Sequence, residues 1–342
     1  PPSILTPTTA SPTLVPDQEV KFVLVRDSEG ALAWMDLPVK PGWVPSIGLQ
    51  PRGGAGRGAA VLLAGDPPGL ARYDASVETP LAAIVDLRGL AVQTVADGGS
   101  GRLAWGARAD DGQGFVLVHS AFDASDASVL LTANQPIAPV GWSAEGAQLY
   151  YALEPEGVSP DLGYPAASSL YRLDLGTGVS EALVPFDPTR PACIDDLAPD
   201  ALSVVERCGT VKELIIRYLG GPTTTIQAPP TIKGDATIGS ARFSPDGRRV
   251  AFALTSTGLP DTISWVAVSD GLGGGATQLL QSGPNEQYAV VAWLSRSDLL
   301  VQGRRLVCDT ACESLYVLNL ETGNRVEFAL GAFVAFAAPT SD

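Results

Sequence analysis

At 342 residues the chain could hold two or three average domains, although one large all-β unit also reaches this length. Hydrophobic residues reach 45% and charged residues only 17%, with 37 glycines and 28 prolines, a mixture that suits many short strands joined by many turns. The formal charge of -15 opposes phosphate backbones and anionic lipid surfaces, and no basic stripe offsets it, so nucleic acid is excluded as a partner.

The opening "PPSILTPTTASPTLVP" is dominated by Thr, Ser and Pro over residues 6 to 16, a composition that buries no core and forms an extended tether. Residues 1–18 are read as that tether and 19–342 as one folded domain. No charged n-region precedes an apolar h-region, so the chain is either a mature or trimmed form or one that is never exported; the Thr/Pro-rich opening favours the first and is compatible with an N-terminal lipid anchor. The longest apolar runs, Ala59 to Ala64 and Ala332 to Pro339, fall far short of the roughly 20 residues of a membrane-spanning helix.

"VKFVLVRDSEGALAWMDL", from Val20, reads as two strands around a turn. "GAGRGA", residues 54 to 59, fits a nucleotide-binding pattern formally, but Pro67 and Pro68 stop any following helix, so the match is accidental. "GRLAWGARAD", from Gly101, reads as a strand. His119 is the one histidine and sits in the strand-like "FVLVHS" with no partner suggested by sequence, which favours a satisfied structural side chain over a catalytic base. "DASDAS", 123 to 128, reads as a solvated loop rather than an ion site.

From residue 140 the sequence repeats. "VGWSAEGAQLYYAL" (140 to 153) and "ARFSPDGRRVAFAL" (241 to 254) share an aromatic, Ser, two residues, Gly and an apolar run. Looser copies begin at Asp195 ("DDLAPDALSVVER") and Val291 ("VAWLSRSDLLVQG"), so the turns recur about every 46 to 55 residues, the period of propeller blades. "GWSAEG" is therefore a repeat turn rather than a nucleophile elbow, whose fifth position would be Gly where Glu145 stands. In S-P-D-G, Pro245 presets φ, Asp246 bonds nearby backbone and Gly247 accepts positive φ, giving a sharp reversal between two strands. Each copy continues with a variable loop, a third strand, a tight polar turn and a fourth strand, as in "SLYRLDLGTGVSEALV" from Ser169 and "SLYVLNLETGNRVEFAL" from Ser314. Apolar residues occupy both parities of "RVAFAL" and "LYYAL", so both strand faces must be covered, as they are between stacked blades.

Four cysteines allow three pairings. Their positions favour Cys193–Cys208, across a strand–turn–strand, and Cys308–Cys312, around "DTA"; both imply an oxidising compartment. A single histidine argues against zinc at these cysteines, and neither a metal site nor a cofactor is expected.

Units start near 44, 90, 137, 192, 238 and 288, with strands left over at both ends. Those remnants predict a seven-bladed, all-β propeller of four-stranded antiparallel blades, closed by strands from both termini, with six blades as the alternative count. "FSPDGRRVAFAL" followed by "ISWVAVSDG" resembles the TolB-type, WD40-like PD40 propeller repeat; the likeness is good over 241–280 and fair over 140–184 and 291–330. The resemblance implies a propeller and a periplasmic or extracellular location, and no single activity.

The long, proline-stiffened segments 154–169, 185–194, 227–238, 282–288 and 303–314 all fall on the rim opposite the S-P-D-G turns, where pre-ordered loops lose little entropy on binding. The expected function is a non-catalytic, exported or surface-tethered interaction module that contacts another extracellular or envelope protein, or a cell-wall polymer. Tyr164, Arg190, Arg304 and Arg305 are the candidate binding residues, because aromatic and arginine side chains most often carry interface energy. The competing reading is an extracellular hydrolase or lyase with carboxylates in the central channel, with or without a divalent ion.

Overall fold

The computed structural model describes residues 22–37, 58–63, 69–74, 81–86, 94–96, 102–110, 112–121, 126–143, 146–155, 166–207, 212–232, 234–257, 261–308 and 312–336. Strands β1 (Phe22–Arg26) and β2 (Leu32–Asp36) come first, then β3 (Gly58–Leu63), β4 (Gly69–Asp74) and β5 (Leu81–Asp86) in a three-stranded sheet. Five four-stranded antiparallel sheets follow. They are β6 (Thr94–Ala96) to β9 (Ser128–Ala133) with β7 (Arg102–Arg108) and β8 (Phe115–Ala121); β10 (Ile137–Trp142), β11 (Gln148–Leu153), β12 (Leu170–Asp174) and β13 (Ser180–Val184); β14 (Ile194–Leu197), β15 (Ser203–Glu206), β16 (Glu213–Tyr218) and β17 (Thr223–Gln227); β18 (Asp235–Phe243), β19 (Val250–Thr257), β20 (Ser264–Ser269) and β21 (Ala276–Gln281); and β22 (Glu286–Trp293), β23 (Asp298–Arg305), β24 (Glu313–Asn319) and β25 (Arg325–Leu330). The last strand, β26 (Ala332–Phe336), pairs with β1, so both ends of the chain share one sheet, ordered β2-β1-β26.

Each turn of the repeat joins the first strand of a sheet to the second. In the 241–256 copy Ser244 Oγ donates to Asp246 Oδ1 (2.7 Å), Arg249 N donates to Ser244 Oγ (3.0 Å), and Gly247 adopts φ +66°. Burial pushes the Asp246 carboxyl up, but the Ser244 hydroxyl and the Arg248 amide outweigh it and hold it below the usual carboxylate range. Asp246 is thus consumed by its turn, as the sequence predicts. In the copy at 198–203 Ala201 takes the positive φ (+55°) where the pattern has glycine.

The first strands share a β-bulge, with register shifts spanning Val140, Asp195, Gly239 and Val291. They also run parallel to one another. Phe243 N donates to Asp196 Oδ2, Val290 N to Ser240 Oγ, and Trp293 Nε1 to Arg242 O, so contact positions climb together along β14, β18 and β22. Side chains from one innermost strand thereby satisfy backbone groups that a sheet edge would otherwise leave unpaired.

Apolar clusters fill the spaces between neighbouring sheets. Phe243, Phe252 and Trp265 pack on Leu214 and Ile216; Trp293 and Tyr288 pack on Ala251 and Val266; Leu300 and Leu315 pack on Val23 and Phe336. Every residue of β10 and β20 is buried, the double-sided cover predicted from apolar residues at both parities. Leu24 and Ala335 reach Tyr73 of β4, which brings the terminal sheet against the first three-stranded one.

The strand count corrects the expectation of seven four-stranded blades. Six sheets are each built from one continuous run of chain, which is the six-unit count, and β3–β5 has three strands among the described residues. The sheet that unites both ends also has three, because only β1 and β2 from the front and β26 from the back contribute to it. Closure by strands from both termini is observed. Residues 1–18, read as a tether, lie outside the described residues.

Candidate functional site: the rim of long connections

Because first strands run parallel and sheets are antiparallel, the connections between second and third strands and those between sheets emerge at one end, away from the S-P-D-G turns. Asn285 fastens three of these connections together. Its amide donates to Thr262 O (2.7 Å), its Oδ1 accepts from Thr262 N (3.5 Å), and its carbonyl accepts from Leu306 N (2.8 Å). It does so at φ +59°, a conformation that asparagine tolerates better than most residues.

Beside it, β23 and β24 end in a short arm. Arg304 and Arg305 belong to the end of β23, not to the loop as the sequence reading places them, because β22 and β24 both pair with that stretch (Gln287↔Arg304, Glu286↔Arg305, Arg304↔Glu313). Both arginines are exposed, and they are followed by Leu306 at 42% and Val307 at 78% exposure. The Cys308–Cys312 disulfide closes the arm with the two Cα atoms 5.6 Å apart, and Arg305 N donates to Cys312 O (2.7 Å).

The carboxylates opposite these arginines are engaged elsewhere. Glu286 Oε1 lies 3.6 Å from Arg325 Nη1, and Glu286 Oε2 accepts from Tyr288 OH (3.1 Å). Glu313 Oε1 accepts from Gln302 Nε2 (3.2 Å). Gly303 makes the first arrangement fit: a Cβ there would sit 2.7 Å from Tyr316 Cε2 and 3.2 Å from Glu286 Oε1. Arg325 covers the Tyr316 ring (4.6 Å to its centroid) and also bonds the Tyr288 hydroxyl. Burial and the Glu286 charge push the Tyr288 phenol well above its usual range. Among the described residues neither Arg304 nor Arg305 has an ion-pair partner.

Arg190 lies exposed in the connection from β13 to β14, with the sheets β14–β17 and β18–β21 between it and the β23 arm. Its amide donates to Asp187 O (3.2 Å) in a turn whose Thr189 hydroxyl and amide hold the Asp187 carboxyl below its ordinary range. Arg304 and Arg305 thus adjoin along β23 with side chains on opposite faces of the strand, and Arg190 stands apart; Tyr164 lies outside the described residues. Cys193 is disulfide-bonded and its carbonyl accepts from Arg207 N (2.9 Å) across the β14–β15 hairpin, while Cys208 lies outside the described residues.

Sequence reasoning missed a buried charge cluster at the innermost strands. Asp195 sits on the β14 bulge with its side chain 1% exposed, paired through Oδ1 with Arg207 Nε (2.7 Å). Arg242, also buried, donates from Nη1 to Asp195 O (2.6 Å) and from Nε to Val291 O (3.1 Å), so one guanidinium ties three neighbouring sheets. Burial raises the Asp195 carboxyl against the pull of Arg207 and Arg242. Among the described residues no group of three His, Cys, Asp or Glu side chains has a metal-binding arrangement.

His119 gains partners that the sequence did not suggest. Its Nε2 faces the Arg102 guanidinium, which can only donate, so Nδ1 carries the proton and donates it to Ser128 Oγ at 3.1 Å. Both ring nitrogens of His119 are therefore hydrogen-bonded, one to Arg102 and one to Ser128. Residues 122–125 and 54–57 lie outside the described residues, whereas the segment after "GAGRGA" is strand β3 rather than a helix.

The fold is similar to an oligogalacturonate lyase solved in complex with manganese, at a TM-score of 0.55 and 15% identity over 91% of this chain and 84% of that one. An oligogalacturonate lyase from Vibrio parahaemolyticus gives 0.50 and 13% over 91% and 85%, and TolB from Acinetobacter baumannii gives 0.48 and 14% over 84% and 67%. No protein-family profile and no curated protein matches the chain. Likenesses at these identities show the fold alone: the chain is a β-propeller.

Proposed function

We propose that this propeller is a non-catalytic binding module of an exported or surface-tethered protein, and that its rim of long connections contacts another extracellular or envelope protein. One observation carries the reading. Two exposed arginines without ion-pair partners among the described residues and two exposed aliphatic side chains stand together on an arm held by a disulfide. Pre-organisation of this kind lowers the entropy lost on binding, and desolvated arginines are frequent centres of interface energy. The disulfides support an oxidising compartment. The test replaces Arg190, Arg304 and Arg305 together by alanine and measures capture of envelope proteins from the native cell. Capture should fall about tenfold or more, as loss of one or two interface anchors implies; unchanged capture by a folded variant would remove the rim from consideration.

A further inference from the structure

The chemistry of the β23 arm also narrows its partner, on the premise that the rim is the binding face. We infer that Arg304, Arg305, Leu306 and Val307 form a docking point for an extended acidic peptide segment that carries an apolar side chain among its carboxylates. Charge is the first argument. In a chain of net charge -15, the carboxylates across the strand from these arginines are turned to Arg325, Tyr288 and Gln302, so that among the described residues no carboxylate pairs with either guanidinium, and each has the fork geometry for a bidentate grip on an incoming carboxylate. Negative charge farther from the arm than the screening length, about 8 Å at physiological salt, repels an acidic ligand only weakly. A phosphate polymer fits poorly, since its affinity grows with the number of cations it meets and the arm supplies two.

Apolar surface is the second argument. Leu306 and Val307 follow the arginines directly and are 42% and 78% exposed, so a ligand that satisfies the guanidiniums lies against aliphatic carbon. A partner with carboxylates alone would leave that surface wet. The Cys308–Cys312 bridge and the bonds of Arg305 N to Cys312 O and Leu306 N to Asn285 O tie the described part of the arm to its neighbours.

The probe is a fluorescein-labelled decapeptide of alternating glutamate and leucine, titrated by anisotropy against the whole chain at physiological salt. A lysine–leucine decapeptide and a decaglutamate serve as controls. The glutamate–leucine peptide should bind. Its affinity should drop about tenfold or more in Arg304→Ala/Arg305→Ala. A several-fold drop is expected in Leu306→Ser/Val307→Ser, with both variants melting cooperatively near the parent temperature. Equal binding of the lysine–leucine peptide, equal binding of decaglutamate, or unchanged affinity in either double variant overturns the inference. If the glutamate–leucine peptide fails to bind while the rim variant above still loses envelope-protein capture, the acidic partner is wrong and the binding rim survives. If neither assay responds, both fall.

Discussion

Replacing Arg242 by methionine keeps an unbranched, largely apolar stem and removes the guanidinium donors. The substitution orphans the carbonyls of Asp195 and Val291, accepted at 2.6 and 3.1 Å, and takes one of two guanidiniums from the buried Asp195 carboxylate. Each orphaned buried group costs about 1–3 kcal/mol. The two orphaned carbonyls therefore predict a loss of about 2–6 kcal/mol in folding stability, read from urea unfolding followed by tryptophan fluorescence and circular dichroism. A double-mutant cycle with Asp195→Asn separates the Asp195 contribution from general damage, and the two changes should couple by about 1 kcal/mol or more. A loss under about 1 kcal/mol, or additivity within about 0.5 kcal/mol, would refute the view that Arg242 clamps three sheets.

Gly247→Ala should destabilise by about 1–2 kcal/mol through its φ of +66° alone, because a Cβ there meets only Pro199 Cδ at an ordinary 3.6 Å; thermal melting checks this. Cys308→Ser/Cys312→Ser should cost about 2 kcal/mol by the chain-entropy estimate for so short a loop and weaken binding at the arm, measured by denaturation and by the capture assay. Burial first, then Arg102, lowers the His119 pKa against the opposing pull of Asp126. The unfolded chain then takes up this proton more readily than the folded one, so the stability it contributes is complete above about pH 6.5 and drains away as pH falls through the lowered folded value. His119→Gln should flatten that part of the stability–pH curve, and an unchanged curve would mean that His119 is not the group responsible.

The fold was legible because its signals are local. A turn such as Ser244–Gly247 needs residues of particular backbone tolerance within a few positions, and strands covered on both faces write apolar residues at both parities. The copy at 198–203 read weakly for a physical reason: Ala201 takes the left-handed conformation that the pattern assigns to glycine. The number of complete blades was less legible, since the sheet shared by β1, β2 and β26 draws strands from opposite ends of the chain. The site divides in the same way. Arg304 and Arg305 could be chosen by residue type, but what leaves them without ion-pair partners among the described residues is the engagement of Glu286 by Arg325 and of Glu313 by Gln302, set by strand register and by the space at Gly303. The Asp195–Arg207–Arg242 cluster left no signal, because Arg242 meets partners 47 and 49 residues away on other sheets.

The most direct test asks which end of the propeller meets a partner. Val307 at the long-connection rim and Val179 in the β12–β13 turn at the opposite end are both exposed, at 78% and 62%, so a photo-crosslinking amino acid fits either without disturbing the core. On the native cell surface, irradiation should yield a discrete adduct from position 307 that excess unmodified protein abolishes, and none from position 179. An adduct from 179 alone, or equal yields from both, would contradict the account.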